Sequence, residues 1–281
     1  IRWVVCLYGK EIVPLVIAGI ASGRTSFGQR TLHPEALDIS SADSYFRLIA
    51  DAGVIVDQNI RRQIIADGSK DLSREIGGWP LEDEDLLDEV VSLCEHPSPF
   101  RGEFASRYLE LPEEVLVTVM RHHQRYFPIL DSLGKVLPGF IGVRDGSPDT
   151  GMENVKKGNE WVLRARLEDA SFFYAQDVKV RLEDRLKDLS GVYFLGGAGT
   201  LYDKTMRLEE LSGYLAEKAG LCKKEIEMVR AAARLSKCDL VTLMVRELPE
   251  LEGIMGGHYA RVQGIDEEIS RAISQQYLPR G

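Results

Sequence analysis

The chain has 281 residues, 44% of them hydrophobic and 28% charged, and 35 basic against 44 acidic residues give a formal net charge of −9. This length favours two domains over one, and the composition excludes wholesale disorder. The acidic balance argues against a uniformly basic, nonspecific nucleic-acid binder, but it leaves room for a local basic face.

Cysteine spacing and apolar run length narrow the class of protein further. Four cysteines stand far apart with no CxxC pair, which argues against a structural zinc ribbon and a dense disulfide scaffold. Reduced thiols in a cytoplasmic protein are expected, and no apolar run reaches the roughly 18 residues that a membrane span needs. The chain opens on IRWVVCLYGK without methionine and ends at QYLPRG, so a fragment of a longer protein is expected.

The first predicted elements mix strand and helix. EIVPLVIAGIASG, residues 11–23, is typical of a strand, and the glycine- and serine-rich residues 22–30 after it predict a loop. SADSYFRLIADAGVIV, residues 41–56, predicts a helix capped by Ser41 or Asp43, followed by a short strand.

Three helices and a hairpin are predicted next. Residues 57–77 and 82–95 carry apolar side chains at spacings of three and four, and residues 110–124 begin with a proline and two glutamates suited to a first helical turn. Two apolar runs then flank Asp131-Ser132-Leu133-Gly134, which is a hairpin signal.

From residue 152 onward the pattern is helical, apart from GVYFLG at 191–196 as a candidate strand and GGAG at 196–199 as a candidate linker. The predicted fold class is therefore α+β. A mixed α/β domain is expected over 1–150, a helical connector and linker over 151–199, and an all-α domain over 200–281.

The basic, aromatic stretch RHHQRYF, residues 121–127, has two interpretations. Its adjacent histidines diverge by about 100° on a helix, so they cannot easily share one metal. Arg121 and Arg125 could contact RNA phosphates and bases together with the neighbouring aromatic rings. Alternatively, the stretch is a helix end whose histidines complement the negative end of the dipole, with Tyr126 and Phe127 in the core.

The stretch from 155 to 187 carries eight basic and six acidic residues, a net charge of +2 within a chain of −9. A solvated amphipathic helix is the plain interpretation, and phosphate contact is the other. The expected buried stripe is Trp161, Leu167, Phe172 and Phe173. Candidate RNA-binding residues over the whole chain are Arg24, Arg30, Arg121, Arg125, Lys156, Lys157, Arg164 and Arg166. The loop arginines, Arg24 and Arg30, could equally pair with acids inside the fold.

Two helical segments resemble the HD family of metal-dependent phosphohydrolases, in which one helix supplies a His and a later one an adjacent His-Asp pair. KTMRL at 204–208 and LSKCDLVT at 235–242 have that order. Lys204 stands where the first His would be and Cys238 where the second would be, so that only Asp239 matches. Because a lysine ammonium repels a divalent cation, the resemblance implies a degenerate site without metal. Cys238 is expected as a small buried hydrophobe and Asp239 as a structural hydrogen-bonding acid.

Long strings resemble the family of bacterial heterotetrameric glycyl-tRNA synthetase beta subunits. They are LPEEVLVTVMRHHQRYFPILDSLGKVLPGFIGV, GNEWVLRARLEDASFFYAQD, RLEDRLKDLSGVYFLGGAGTLYDKTMRLEEL and LSKCDLVTLMVRELPELEGIMGGHYA, and the first thirty residues fit the same family. The resemblance implies an N-terminal α/β part similar to a domain of phenylalanyl-tRNA synthetase beta subunits, and then an HD-like helical domain. It also implies a C-terminal anticodon-binding domain that this chain does not reach.

The resemblance sets the functional expectations as well. The chain would be a tRNA-positioning subunit of a cytoplasmic glycine–tRNA ligase, with no catalytic residue and no cofactor of its own. ATP and magnesium would be used through the alpha subunit, in a heterotetramer of two alpha and two beta subunits that binds glycine tRNA and no membrane. The alternatives are an HD-type metal phosphohydrolase, an editing hydrolase for mischarged tRNA, and an assembly scaffold without RNA contact.

Overall fold

The computed structural model describes residues 1–149 and 151–279. Its strands are β1 (Val4–Val5), β2 (Leu7–Tyr8), β3 (Glu11–Ile12), β4 (Val16–Ile17), β5 (Ile20–Gly23), β6 (Thr25–Phe27), β7 (Ala36–Asp38), β8 (Trp79–Pro80), β9 (Pro97–Glu103), β10 (Phe127–Leu130), β11 (Val136–Asp145), β12 (Tyr193–Leu195) and β13 (Gly199–Thr200). Its α-helices are α1 (Tyr45–Asp51), α2 (Gln58–Arg74), α3 (Glu84–Leu93), α4 (Glu113–Thr118), α5 (Met152–Asp177), α6 (Leu201–Lys218), α7 (Lys223–Leu235), α8 (Leu243–Glu247), α9 (Ile254–Val262) and α10 (Glu267–Gln275).

The chain forms two compact units. Unit 1 comprises Ile1–Ala105 and Met120–Leu163, and unit 2 comprises Ser106–Val119 and the chain from Arg164 onward. The mixed α/β character expected of the N-terminal region is confirmed. The division into 1–150, 151–199 and 200–281 stays a prediction.

Side-chain caps explain where several predicted helices begin. The carboxylate of Asp57 accepts the N–H of Asn59 at the start of α2, and that of Asp83 accepts the N–H of Leu86 at the start of α3. Each cap satisfies one of the backbone donors that a first turn leaves without an intrahelical partner. The helices predicted over 57–77 and 82–95 are confirmed.

The predicted strand and loop near the N-terminus are wrong in detail. Residues 11–23 hold three short strands, because Ala18 and Gly19 both have positive φ and form a tight turn between β4 and β5. The predicted loop at 22–30 contains β6, which pairs with β7. The short strand expected after α1 is also absent from the described residues. The carbonyl groups of Ile55 and Val56 accept hydrogen bonds from the Arg61 guanidinium instead of from a neighbouring strand.

The main sheet of unit 1 is antiparallel, with strand order β8-β10-β11-β9. The hairpin predicted at Asp131–Gly134 is confirmed, and its turn is stabilised by the Asp131 carboxylate, which accepts the N–H groups of Leu133 and Lys135. Helices α2 and α3 pack beside this sheet over a shared core. The buried members of that core are Ile65, Leu86, Val90, Val91, Cys94, Phe127, Ile129 and Ile141.

Two glycines of this sheet lie opposite phenylalanines. Gly102 of β9 pairs with Phe140 of β11, and Gly142 of β11 pairs with Phe100 of β9. A Cβ on Gly102 would lie 2.2 Å from the Phe140 ring, and one on Gly142 would lie 2.5 Å from the Phe100 ring. Each ring therefore occupies the space above the facing glycine, as in the aromatic covering of glycines known from designed sheets.

We expect Gly102→Ala to lower the free energy of unfolding by about 1–3 kcal/mol, because the fully buried Phe140 ring cannot move aside without overpacking the core. Gly158→Ala is the matched control, since Gly158 lies on α5 and, apart from its own helix, no described residue has an atom within 4 Å of an added Cβ. That change should stabilise the helix by about 0.5–1 kcal/mol. Denaturant unfolding of both variants checks the pair, and equal effects would contradict the packing argument.

Unit 2 is mainly helical. Helix α6 packs against α7, α7 against α10, and α9 against α10. GVYFLG is confirmed as a strand, because β12 pairs with β13. The GGAG sequence predicted as a linker lies in this hairpin, and residues on both sides of it belong to unit 2. Between 201 and 279 the described elements are helical, while the HD-like fold stays a prediction.

The buried stripe predicted for α5 is only partly correct. Leu167 is buried, as expected, but Trp161 is 64% exposed and Phe172 is 57% exposed. The buried positions are instead Leu163, Leu167 and Ala170, which recur at spacings of four and three. Two large aromatic rings are therefore left on the outer side of the helix.

Candidate functional site

The predicted RNA-binding cations are divided between the two units. Six of them belong to unit 1, namely Arg24, Arg30, Arg121, Arg125, Lys156 and Lys157. Arg164 and Arg166 belong to unit 2. Their local surroundings separate them into cations held by protein partners and cations that remain free.

The two loop arginines differ in this respect. The Arg24 guanidinium donates to the carbonyl of Lys10 at 3.2 Å. Lys10 lies in the turn between β2 and β3, which pair with each other, so this bond connects that turn to the residue before β6. Arg30 is exposed and, among the described residues, has no hydrogen-bond or ion-pair partner. Among the described residues, neither arginine forms an ion pair with an acid. The alternative interpretation, in which Arg24 and Arg30 pair with acids inside the fold, therefore does not agree with the described structure.

Arg121 and Arg125 are both engaged by acids of α3 or its cap. Arg121 binds both carboxylate oxygens of Asp83 through its Nε and Nη2 atoms. Burial opposes ionisation of Asp83, but hydrogen bonds from Arg121 and the Leu86 N–H outweigh it and lower the pKa of that carboxyl. Arg125 pairs with Glu89 at 2.8 Å and also donates to the His122 carbonyl at 2.7 Å. A phosphate would have to displace these carboxylates.

The histidine stretch ends a helix, as one interpretation expected. Val119–His123 forms a π-helical turn after α4. Tyr126 and Phe127 are buried, and the Tyr126 ring stacks on Phe140 with centroids 4.3 Å apart. Burial raises the pKa of the Tyr126 hydroxyl to about 12. These two aromatic rings are core residues and cannot stack on RNA bases.

Helix α5 carries both classes of cation. Lys156 lies 3.9 Å from Glu160, and Arg166 lies 3.7 Å from Glu247. Lys157 and Arg164 are exposed and have no ion-pair or hydrogen-bond partner in the part of the chain that the structure describes. Together with Arg30, they are the members of the predicted set that have neither an ion-pair nor a hydrogen-bond partner among the described residues.

The three positions that resemble an HD centre all lie in unit 2. Asp239 is fully buried, and its Oδ2 accepts the N–H groups of Gly253 at 2.6 Å and Gly256 at 3.0 Å. Its Oδ1 has no hydrogen-bond partner among the described residues, and burial raises the pKa of this carboxyl to about 6. The buried Cys238 thiol has its pKa raised to about 12, by burial first and then by the charge of Asp239. Lys204 places its Nζ 3.9 Å from the centre of the Phe194 ring.

Asp239 and Cys238 thus have the surroundings of structural residues. No group of three or more His, Cys, Asp or Glu side chains that could hold a metal ion occurs within residues 1–149 and 151–279. The descent of Lys204, Cys238 and Asp239 from a metal centre stays a prediction. In the same described ranges, no helix is long and apolar enough to cross a membrane.

A buried acid that no local motif marks organises unit 2. The carboxylate of Asp177 accepts hydrogen bonds from Arg185, from the backbone N–H groups of Leu243 and Met244, and from the Tyr259 hydroxyl. The distances lie between 2.9 and 3.1 Å. Its partners stand up to 82 residues away in sequence, so periodicity alone cannot reveal it.

Comparison with known proteins identifies the family to which this chain belongs. The model of a family described as glycyl-tRNA synthetase beta subunit matches residues 1–281. This chain belongs to the glycyl-tRNA synthetase beta subunit family. The resemblance stated from the sequence strings is confirmed.

Members of this family from several bacteria share close to half of the chain's residues. The glycine–tRNA ligase beta subunit of Halothermothrix orenii is 45% identical over 280 residues, which is 100% of this chain and 40% of that protein. The beta subunits of Clostridioides difficile and Bacillus subtilis are 44% and 43% identical, again over 100% of this chain and over 40% and 41% of their own lengths. The chain therefore spans about 40% of the beta subunits that it matches.

Proposed function

We propose that this chain is the part of a glycine–tRNA ligase beta subunit that binds and positions glycine tRNA. An alpha subunit would activate glycine with ATP and magnesium, in a cytoplasmic heterotetramer of two alpha and two beta subunits. Membership in the beta subunit family supports this proposal. The chain would contribute orientation of the tRNA 3′ end beside the activated glycine, and no catalytic residue or cofactor of its own.

The observation that favours RNA contact is the exposed face of α5 in unit 1. Lys157 and Trp161 stand four residues apart on this helix, so their side chains are neighbours on its surface. The lysine is unpaired within the described residues, and the indole is 64% exposed. A free ammonium beside an exposed aromatic ring matches a phosphate beside an unstacked base, which is the usual chemistry of RNA recognition.

Free cations should contribute more to tRNA binding than paired ones. Lys157, Arg164 and Arg30 can neutralise phosphate directly, whereas Arg121 and Arg125 must first give up Asp83 and Glu89. The net charge of −9 does not prevent tRNA binding, because phosphate contacts depend on local positive groups and not on the charge of the whole chain. Lys156 and Arg166, with longer ion pairs, are expected to be intermediate.

We expect Lys157→Gln and Arg164→Gln to weaken binding of glycine tRNA to the full-length alpha–beta assembly. Each should reduce the slope of log affinity against log salt by about 0.9 for every phosphate that is no longer neutralised. Filter binding across a salt series, with glycine tRNA and an unrelated tRNA, measures both effects. Lys218→Gln is the control, because Lys218 is an exposed cation outside the predicted set.

Two results would reject the RNA assignment for this chain. Unchanged affinity and slope in both variants would mean that recognition lies elsewhere in the beta subunit or in its partner. An equal loss for Lys218→Gln would show a general effect of charge. A scaffold without RNA contact would instead retain assembly with the alpha subunit while all the basic variants bound tRNA normally.

A further inference from the structure

The outer face of α6, Leu201–Lys218, carries large apolar side chains that the described residues leave uncovered. Leu211 and Leu215 are each 55% exposed, and Tyr214 is 53% exposed. Leu221, which follows the helix, is 39% exposed. Because an α-helix turns by about 100° per residue, positions 211, 214 and 215 share one face. We call Leu211, Tyr214, Leu215 and Leu221 the α6 ridge.

The inner face of α6 is small and polar, which reverses the usual arrangement. The Glu209 carboxylate accepts a hydrogen bond from the Arg234 Nε of α7 at 2.9 Å, and Gly213 leaves the space that the Arg230 side chain occupies. A surface helix normally turns its large apolar residues toward the core and its polar residues outward. The buried residues of α6 are Thr205, Glu209, Gly213 and Ala216. The reversal indicates that the α6 ridge is a contact surface.

The turn after α6 places the end of the ridge beside two lysines. Gly220 has a φ of +78°, and the Leu221 N–H donates to the Ala216 carbonyl at 3.2 Å, as in a Schellman turn. Lys223 and Lys224 begin α7 directly afterwards. Both are exposed, and neither side chain has an ion pair or hydrogen bond in the part of the chain that the structure describes. The ridge therefore ends at two unpaired ammonium groups.

These features favour an acidic amphipathic helix as the partner of the ridge. Leucines four residues apart form the kind of surface that packs against the apolar stripe of another helix. Carboxylates near the end of that helix would pair with the two lysines. RNA is disfavoured, because aliphatic side chains offer nucleobases no aromatic surface on which to stack.

The size of the ridge favours a partner from the same subunit. A stable interface between separate proteins buries about 1,200–2,000 Å² and uses roughly 20–30 residues on each side. The few residues of the ridge are sufficient only for a segment that is held nearby, and a covalent linker gives an effective concentration on the order of millimolar. This chain spans 40% of the Halothermothrix orenii beta subunit, so more than half of that protein lies outside the matched region.

We propose that an acidic amphipathic helix from the part of the beta subunit outside these 281 residues packs on the α6 ridge. Its apolar stripe would cover Leu211, Tyr214 and Leu215, and its carboxylates would pair with Lys223 and Lys224. The α6–α7 hairpin would then be a docking site that joins two parts of one beta subunit. This inference does not depend on tRNA binding.

Hydrogen exchange of the full-length beta subunit, without alpha subunit or tRNA, tests the apolar contact. The variant carries Leu211→Gln and Leu215→Gln, because both side chains are exposed and glutamine has about the helix propensity of leucine. We expect peptides from one segment outside residues 1–281 to exchange at least tenfold faster, while the amides of α7 keep their protection. Leu133→Gln is the control, at an 84% exposed leucine between β10 and β11, and should change no peptide outside 1–281.

A charge-reversed variant tests whether the partner is acidic. Lys223→Glu with Lys224→Glu places carboxylates in the first turn of α7, where the helix dipole favours them, so α7 itself is not weakened. The segment that responds to the leucine variant should again exchange at least threefold faster. Lys187→Glu, at an exposed lysine elsewhere in unit 2, is the control and should have no effect.

Unchanged exchange outside residues 1–281 in the leucine variant would overturn the proposal, because the ridge would then have no partner within the beta subunit. Loss of assembly with the alpha subunit, or of self-association in sedimentation, without that change would assign the ridge to the alpha subunit or to a second copy. A response to the leucine variant but not to the lysine variant would mean that the partner is not acidic.

Discussion

Replacing Asp177 by asparagine will lower the free energy of unfolding of unit 2 by about 3–5 kcal/mol, because it leaves a buried guanidinium without its counter-ion. Asp177 is 2% exposed and Arg185 is 9% exposed, so water cannot compensate either charge. The Leu243 and Met244 N–H groups and the Tyr259 hydroxyl all donate to the Asp177 carboxylate. Asparagine replaces one of the two acceptor oxygens by an NH₂ group, so at least one of these donors would face another donor.

The same carboxylate also anchors the first turn of α8, whose backbone donors have no intrahelical partner. Leu243 and Met244 donate to its two oxygens at 3.0 and 2.9 Å. Burial, followed by the nearby Asp177 charge, raises the pKa of the Tyr259 hydroxyl, so this group remains a donor at any physiological pH. One side chain thus holds the end of α5, the start of α8 and the middle of α9 together.

Hydrogen exchange of the full-length beta subunit tests this prediction in the helices of unit 2 that the Asp177 carboxylate connects. The free energy of exchange of the α9 amides, Ile254–Val262, should fall by about 3–5 kcal/mol in Asp177→Asn. Amides in core helices exchange mainly through global unfolding, so their protection reports the free energy of unfolding. Asp188→Asn is the matched control, because Asp188 is exposed on a neighbouring turn and should change stability by less than about 0.5 kcal/mol. Unaltered α9 protection in Asp177→Asn would show that the network contributes little.

The sequence predicts what depends on neighbours along the chain. Asp83 before an apolar periodic run fixes the start of α3, and Asp131 through Gly134 fixes the β10–β11 hairpin, because both signals act within a few residues. Membership in the family is likewise readable from long strings. The positive-φ turn at Ala18 and Gly19 is missed, because alanine rarely adopts that conformation.

Burial and ion pairing are where such predictions fail. Trp161 and Phe172 are apolar residues on a helix, yet whether they are covered depends on elements far away in the chain, and the structure leaves both exposed. Arg121 meets Asp83 across 38 residues, so a basic cluster in the sequence becomes a neutralised pair in the fold. Of the eight cations chosen from charge and context, three have neither an ion-pair nor a hydrogen-bond partner among the described residues.

Asp239 provides a second prediction, a pH dependence that runs opposite to the usual one for an acid. Its carboxyl has an ordinary pKa of 3.8 and a folded-state pKa of about 6, because burial outweighs the hydrogen bonds from Gly253 and Gly256 and the charge of Lys237. Between these values the folded chain holds a proton that the unfolded chain has released. Stability therefore falls as pH rises from about 3 to 7 and is level above that. The loss is about 1.4 kcal/mol for each unit of pKa difference, or about 3 kcal/mol in total.

The variant Asp239→Asn isolates this effect, because it keeps an oxygen for the two glycine N–H groups and removes the titration. The unfolding free energy of the variant minus that of the wild type should rise by about 2.5 kcal/mol between pH 4 and pH 7, while every other acid cancels in the difference. The same difference for Asp188→Asn should stay level. A level difference for Asp239→Asn would mean that its carboxyl titrates as in water. A difference that falls as pH rises would mean that the backbone donors and Lys237 outweigh burial, so that the folded state prefers the carboxylate.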